Sequence, residues 1–556
     1  MYRRPFIFTF MMLVCAASYA VPAKRVRSSL RLRDGSVVEA TLTGDEHVHY
    51  YLTDDGRALL PDDADGASFH YADRDSLAAS HAEKLARQNR RRMQNKIRGR
   101  RAWGAESNPV SGSKRGLVIL ANYADRELYF SADVFQRFFN ETGFQDYGMH
   151  GSVHDYFLSQ SYGMFDLEFD VAGPVTLSRE MSYYGQNDKS GDDLHAAEMV
   201  AEACRLADGQ VDFADYDWDG DGRVDQVFVI YAGYGESQGA SSKTIWPHEW
   251  SMTEALDYND GDGPFQLDGA WIDTYACSCE LAGFQGQSID GIGTACHEFS
   301  HCLYIPDMYD TVGTAPGMMA WDVMDDGAYN GGNYDGLCPA SYTSWERMYC
   351  GWLTPTVLAD DRTVEHMQPI TSAPEAYIIY NSANPSEYYL LENHQYESWD
   401  KEAFGHGMLI LHVDFDPEAW TLNTVNIHKD HQRMTLIPAD GRLKGRSSTE
   451  LQGDPWPGLK HNTELSATTT PAATLYNENA LGELTMEHTI SDIAESDGLI
   501  SFRFTSGTAS GPDGIALQPG DPQPGATVCD LQGRRLSGLS LRPGIYIVNG
   551  RKAFVK

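Results

Sequence analysis

Two histidines four residues apart, with a glutamate directly after the first, restrict this chain more than any other segment: His297-Glu298-Phe299-Ser300-His301. On a helix, residues i and i+4 share a face, so His297 and His301 converge on one point while Glu298 stands a step to the side. Ile292, Cys296, Phe299 and Leu303 fall near helical spacing around the pair, and Asp290 or Ser288 is available to cap the start. The segment is therefore predicted to be a helix that offers two imidazoles to one ion, with a carboxylate placed to hold a water on it. Pro306 breaks the helix and turns the chain, bringing Asp307 back as a third ligand six residues beyond His301. This donor set fits zinc, and the chemistry it implies is hydrolysis, with Glu298 as the base. A pair of ordinary helix-face histidines is the alternative reading.

A second ion is predicted upstream. Asp217-Trp-Asp219-Gly-Asp221-Gly222-Arg-Val-Asp225 puts oxygen ligands at alternate positions with a glycine at the tight bend, as in the first nine positions of a calcium loop. Phe228 stands where an EF-hand supplies a bidentate glutamate, so two flanking helices are not expected. A solvated acidic turn ahead of a strand is the alternative.

At 556 residues the chain is too long for one ordinary domain. Its 43 Lys+Arg against 79 Asp+Glu give a net charge of -36, which repels nucleic acid and anionic membranes and suits an exported protein. Residues 1–20 read as a signal peptide: Arg3 and Arg4, the apolar run Phe6 to Ala17, then Ser18-Tyr19-Ala20. No later apolar run is long enough to span a membrane. Eight cysteines follow the leader, seven of them between Cys204 and Cys350, and export makes disulfides permissible without fixing their pairing.

Residues 21–101 read as a propeptide. Short alternating stretches such as Leu30-Arg-Leu and Val48-His-Tyr-Tyr-Leu, with turns at Asp54-Asp-Gly56 and Asp65-Gly66, predict small hairpins. A basic helical stretch from Lys84 to Arg101 follows, containing Arg90-Arg91-Arg92 and Arg100-Arg101, and reads either as a solvated linker or as an exposed processing site. No cysteine lies between Val21 and Ala203, so a propeptide thiolate cannot block a metal; steric filling of the cleft, or a carboxylate on the ion, remains. Gly116-Leu-Val-Ile-Leu-Ala121 and Val227-Phe-Val-Ile-Tyr-Ala232 read as buried strands with helical patterns around them, which makes 114–356 an α/β (α+β) domain. Residues 357–506 form a β-rich domain, with Tyr388-Tyr-Leu-Leu-Glu392 and Met408-Leu-Ile-Leu-His-Val413 among its strands. A Gly/Pro-rich linker over 507–525 and a small β tail over 526–556 complete a multidomain chain.

The run Gly291-Ile-Gly-Thr-Ala-Cys-His-Glu-Phe-Ser-His-Cys-Leu-Tyr-Ile-Pro-Asp-Met-Tyr-Asp310 resembles the signature of immune inhibitor A-type metallopeptidases, a metzincin-like group of secreted bacterial enzymes. Trp321-Asp-Val-Met-Asp-Asp-Gly327 is similar to the Met-turn of that family, and Pro339-Ala-Ser-Tyr-Thr-Ser-Trp-Glu-Arg-Met-Tyr-Cys-Gly-Trp352 to its following helix. Tyr388 to Asn393, His412-Val-Asp414 and Gly453-Asp-Pro-Trp-Pro-Gly458 extend the likeness, which spans roughly residues 115 to 505. The resemblance implies a zincin-type catalytic domain that cleaves protein or peptide substrates, with zinc on His297, His301 and Asp307, Glu298 as general base and Met324 beneath the metal. It also implies a structural calcium at the Asp217–Asp225 loop, with Ile245-Trp-Pro-His248 as the element that follows. One position departs: Tyr304 stands where the family has glycine, at a sharp turn that a tyrosine would strain. Tyr329, Tyr334 and Tyr342 are oxyanion-donor candidates, with ordinary packing as the plainer role.

The tail, Ala526-Thr-Val-Cys-Asp-Leu-Gln-Gly-Arg-Arg535 and Leu541 to Lys556, resembles the C-terminal sorting domain of the type IX secretion system. That implies delivery to the cell surface or medium by that machinery. The rival readings are an inactive surface adhesin or binding protein on the same fold, and a zinc hydrolase acting on something other than peptides.

Overall fold

The computed structural model describes residues 19–46, 48–62, 66–81, 84, 110–188, 191–258, 260–311, 315–332, 335–443 and 448–507, and four short strands beyond them. The leader up to residue 18 and the Arg-rich stretch 85–109 lie outside the described residues.

After β1 (Tyr19–Ala20) comes an antiparallel meander of β2 (Arg27–Arg31), β3 (Val37–Gly44), β4 (His49–Thr53), β5 (Ala58–Pro61) and β6 (Phe69–Ala72). The predicted hairpins of the 21–80 region are these. Their own core is small: Leu30, Leu32, Ala40, Leu59 and Phe69.

The next sheet positions the site. It comprises β7 (Gly112–Asn122), β8 (Phe165–Thr176), β9 (Val227–Tyr234), β10 (His248–Ser251) and, after the small hairpin of β11 (Phe265–Leu267) and β12 (Ala270–Ile272), β13 (Thr274–Leu281). The spatial order is β1-β10-β13-β9-β7-β8, parallel from β13 to β8, with β10 antiparallel to β13 and β1 antiparallel to β10. The continuous apolar runs of β7 and β9 have a simple cause: the sheet is covered on both faces. Val118, Leu120, Phe228 and Ile230 point to one apolar cluster, which includes helix residues Phe135, Phe139, Phe157 and Phe299. Leu117, Ile119, Val227 and Val229 point to the other, against Met199, Val200 and Cys204 of the helix Ala196–Ala207.

The β-rich region holds two sheets. One is ordered β14 (Thr356–Val357), β16 (Tyr377–Tyr380), β17 (Glu387–His394), β18 (Gly407–Asp414), β19 (Met434–Leu436); the other joins β15 (Arg362–Met367), β21 (Leu499–Thr505) and β20 (Thr489–Ser496). Tyr377, Leu391 and Ile410 face Phe502 and Phe504 of the second sheet in a separate core. Ile378, Leu390, Leu409 and Leu411 instead belong to the same apolar cluster as Phe299, Met324 and Trp345, so this region completes the core beneath the motif helix.

In the tail, β23 (Val528–Cys529), β24 (Gly544–Val548) and β25 (Arg551–Val555) form the expected strands. β22 (Ile515–Leu517) pairs parallel with β25, so the stretch read as a linker over 507–525 is interrupted by a strand. The seven cysteines from Cys204 to Cys350 are all buried free thiols. No described helix is long and apolar enough to cross a membrane.

Candidate metal centre

The motif lies on a helix, Ile292–Ser300, that is buried throughout and runs into a 3-10 turn, His301–Leu303. The expected caps are corrected: Gly291 is the N-cap, and no side chain caps it. Asp290 instead receives hydrogen bonds from Thr294 Oγ1 at 3.1 Å and from Gln238 Nε2 at 2.8 Å. The helix start lies directly on backbone. A Cβ at Gly293 would come 1.7 Å from the Ala328 carbonyl oxygen, while the Gly293 N–H reaches Gly336 O at 3.0 Å and satisfies a donor that no earlier turn can take.

Both imidazoles are oriented from behind. His297 Nδ1 lies 2.8 Å from Val323 O and His301 Nδ1 2.7 Å from Ile305 O, which puts the ring protons on Nδ1 and leaves the Nε2 lone pairs facing the site. The two rings stand edge to face at 4.8 Å. Val323 belongs to the predicted Met-turn; the next residue, Met324, is fully buried, takes an Asp322 Oδ1 bond at 2.8 Å on its N–H, and accepts the Met308 N–H at 2.8 Å.

Tyr304 adopts the conformation a glycine would, at φ 62 and ψ 28, with its N–H on His301 O at 2.8 Å. The turn thus occurs two residues before Pro306, at a backbone cost of about 1–2 kcal/mol for a residue with a Cβ. Asp307 follows the turn: its Oδ1 lies 3.1 Å from His297 Nε2 and 3.6 Å from His301 Nε2. Its other oxygen accepts Asn423 Nδ2 at 2.6 Å, and its N–H donates to Asn423 Oδ1 at 2.8 Å. Nothing in the sequence singled out Asn423, which comes 116 residues later.

His297, Glu298 and His301 bring one ligand atom each to within 4.8 Å of one another. His297 Nε2, Glu298 Oε2 and Asp307 Oδ1 are buried without a hydrogen-bond partner. Lone pairs turned on one another in a buried space are unfavourable unless a cation lies among them, so these residues fit a zinc ion. Burial, then the charge of Asp307, holds the Glu298 carboxyl well above the usual range, and burial, then His297, holds the His301 ring well below its own. A bound cation reverses both preferences.

The N-terminal segment runs through this site. β1 adds to the edge strand β10, with Tyr19 opposite Glu249 and Ala20 opposite His248. The Val21 N–H then donates to Glu298 Oε1 at 3.0 Å. Trp246 Nε1 donates to Val21 O at 3.1 Å, and the Tyr329 hydroxyl to Pro22 O at 2.8 Å. Tyr329 therefore faces the cleft. Tyr342 does not, since its hydroxyl is 2.5 Å from Ser300 Oγ in the core; Tyr334 lies outside the described residues. Trp246, in the Ile245 to His248 element, belongs to the cleft as well.

The acidic loop is a second convergence. Asp217, Asp219 and Asp221 bring oxygens within 4.8 Å of one another, while Asp225 Oδ2 receives the Trp218 N–H at 2.5 Å. Asp217 accepts the N–H groups of Gly220, Asp221 and Gly222, at 2.9, 3.1 and 2.8 Å, and shares that of Asp221 with Asp219 Oδ1 at 3.1 Å. Burial, reinforced by the three neighbouring carboxylates, pushes Asp225 up to about 8.

Part of this chain is similar to two named proteins. The pre-pro-metalloprotease PrtV of Vibrio cholerae serotype O1 is 28% identical over 224 residues, covering 36% of this chain and 23% of that protein. Immune inhibitor A of Bacillus thuringiensis subsp. alesti is 28% identical over 214 residues, covering 34% of this chain and 30% of that protein. This chain thus spans under a third of the length of either relative. Residues 121–352, which contain the helix, the turn at Tyr304 and Met324, match the family model of the immune inhibitor A peptidase M6 catalytic domain.

Proposed function

We propose that the protein is a secreted zinc-dependent endopeptidase made as a latent precursor. The observation that carries this is the buried, mutually facing set of His297, His301 and Asp307 with Glu298 beside it, and the match to a peptidase catalytic domain supports it. Zinc held by the two imidazoles and Asp307 would polarise a peptide carbonyl and lower the pKa of a water so that its oxygen, once the proton is taken, can attack that carbonyl. Glu298 takes the proton from that water and delivers it to the leaving nitrogen. The Val21 N–H, 3.0 Å from Glu298 Oε1, occupies the place a leaving nitrogen would take. An inactive binding protein has no use for this intact donor set.

Residues 21–101 are the inhibitory propeptide in this reading. Support comes from Val21 to Lys24 lying across the cleft, anchored by Trp246 and Tyr329, and from the salt bridge of Lys84 to Asp192 at 2.8 Å. Blockage is steric, by backbone that fills the place of a substrate. Release follows cutting between Arg90 and Arg101. Calcium at Asp217, Asp219, Asp221 and Asp225 stabilises the domain, and the tail from residue 526 directs export by the type IX machinery after the leader is removed; the sequence likeness of the tail supports the latter.

The test is zinc content and casein hydrolysis, with and without chelator, for the precursor and for protein cut by an Arg-specific protease. Zinc near one equivalent, activity only after cutting, and its loss in chelator are expected. Metal-loaded, cut protein inert on several unfolded substrates would turn the reading to a binding protein; equal activity before and after cutting would remove the latency.

A further inference from the structure

The segment in the cleft also shows what the cleft selects. The inference rests on the peptidase reading and names a substrate preference within it. An extended peptide recognises a sheet edge through its backbone, and pockets beside that edge choose among its side chains. Here the backbone that follows the leader is held at three points: Val21 O by Trp246, Pro22 O by Tyr329, and the Lys24 N–H by Ser237 O at 2.8 Å. With its nitrogen at Glu298, Val21 stands where the first residue on the leaving side of a cleaved bond would, and Lys24 is the fourth.

The Lys24 side chain enters a prepared acidic site. Its Nζ is 2.7 Å from Asp335 Oδ1 and 3.4 Å from Gln238 Oε1. Gln238 cannot turn its amide around without loss, because its Nε2 donates to Asp290 Oδ1 at 2.8 Å and its oxygen also accepts the Gly283 N–H at 2.7 Å. Its oxygen therefore faces the ammonium, with the buried Asp290 carboxylate behind it. Both acceptors, and Asp290 behind them, belong to the catalytic region. The next propeptide residue, Arg25, meets a further carboxylate, Asp326, at 3.5 Å.

We infer that Asp335, Gln238 and Asp290 form a subsite for a lysine or arginine side chain four residues after the cleaved bond, and that the propeptide holds this subsite closed with Lys24. The preferred substrates are polypeptides with a basic residue at that position, which an acidic protein also attracts over distance.

The experiment maps cleavage sites in denatured casein with the full chain after propeptide removal, then measures kcat/KM on two peptides that differ only by Lys or Gln at the fourth residue after the bond. Enrichment of Lys and Arg there, and a roughly fivefold preference for the Lys peptide, are expected for one partly screened charge pair backed by a buried carboxylate. Asp335→Asn should bring that ratio to within about twofold of one, and Asp335→Lys should favour a Glu peptide. No enrichment, or a ratio that neither variant moves, overturns the subsite. Binding of the peptides Val-Pro-Ala-Lys and Val-Pro-Ala-Gln, measured by calorimetry, separates this from failure of the peptidase reading. Tighter binding of the lysine peptide by a protein that hydrolyses nothing keeps the subsite and removes the peptidase; equal binding removes the subsite.

Discussion

The two ion-binding candidates are built in opposite ways. The acidic loop takes all of its carboxylates from nine consecutive residues, ties them with hydrogen bonds to its own backbone, and leaves Asp219 and Asp221 exposed. The His297 centre is fully buried, takes its ligands from a helix and the segment after a left-handed turn, and depends on groups far along the chain: Val323 behind His297, and Asn423 behind Asp307. A local loop can be lost with local consequences. A buried centre fails together with the packing around it, and the expected effects follow that order.

The largest effect falls on the buried centre itself. Glu298→Ala should lower kcat/KM on casein by at least ~10³-fold while zinc stays bound, since the base is removed and the ligands remain. His301→Ala should lose the ion. Metal analysis beside activity separates the two, and substantial turnover by the alanine variant at Glu298 would refute its role as base.

The long-range supports come next. Asn423→Ala leaves the second Asp307 oxygen without its donor and should weaken zinc affinity by about 10–100-fold in a competition with a chelating dye. If affinity is unchanged, the centre is as local as the acidic loop and the comparison fails.

His394 tests the same dependence without touching the ligands. Its ring lies between Asp400 and Glu392, each at 2.7 Å, and those two carboxylates in turn accept the Ser341 hydroxyl and the Ser344 N–H, tying β17 to the start of the helix Ser344–Tyr349. Burial disfavours the charged ring, but Asp400 and Glu392 outweigh it and push His394 up to about 10. A folded-state value above the unfolded one means the contribution is complete below the ordinary value of 6.5 and is lost as pH rises towards about 10. Chemical denaturation across that window should show declining stability. His394→Gln should flatten the decline and cost on the order of 3 kcal/mol at neutral pH, because it leaves two carboxylates buried without their cation.

Smaller effects belong to the acidic loop. Calcium should raise the melting temperature by several degrees through mass action, and Asp219→Ala should abolish that rise without altering zinc content. A loss of zinc in the same variant would show that the two sites are coupled after all. The smallest change is Tyr304→Gly, which relieves a left-handed tyrosine and should stabilise by at most ~1 kcal/mol. Marked destabilisation would mean that the contacts of the ring outweigh the strain.

These contrasts explain what could be read in advance. The helix, the convergence of His297 and His301, and the acidic loop all follow from spacing within a dozen residues, where chain geometry alone decides which side chains meet. The runs Leu117 to Ala121 and Val227 to Ala232 were legible as buried strands for the same reason, since a sheet covered on both faces writes an unbroken apolar run. The cap of the motif helix was misread because Gly291 and Gly293 answer to a close backbone at Ala328 and Asp335, not to a local capping residue. Tyr304 shows how tertiary constraint can override a local preference: packing holds a tyrosine where glycine is cheaper.

The sequence by itself determined the chemistry on offer: two imidazoles on one helical face with a carboxylate a step to the side, a second carboxylate past a turn, and a cluster of oxygens before a strand. Only the tertiary structure decided that Asn423 fixes Asp307, that Val323 orients His297, that Val21 lies against Glu298 and that Lys24 meets Asp335. These pairs lie between 26 and 311 residues apart. No propensity or periodicity links residues at such separations; they meet because burying both faces of the central sheet brings distant segments to one edge, and a buried polar group must then find its partner there.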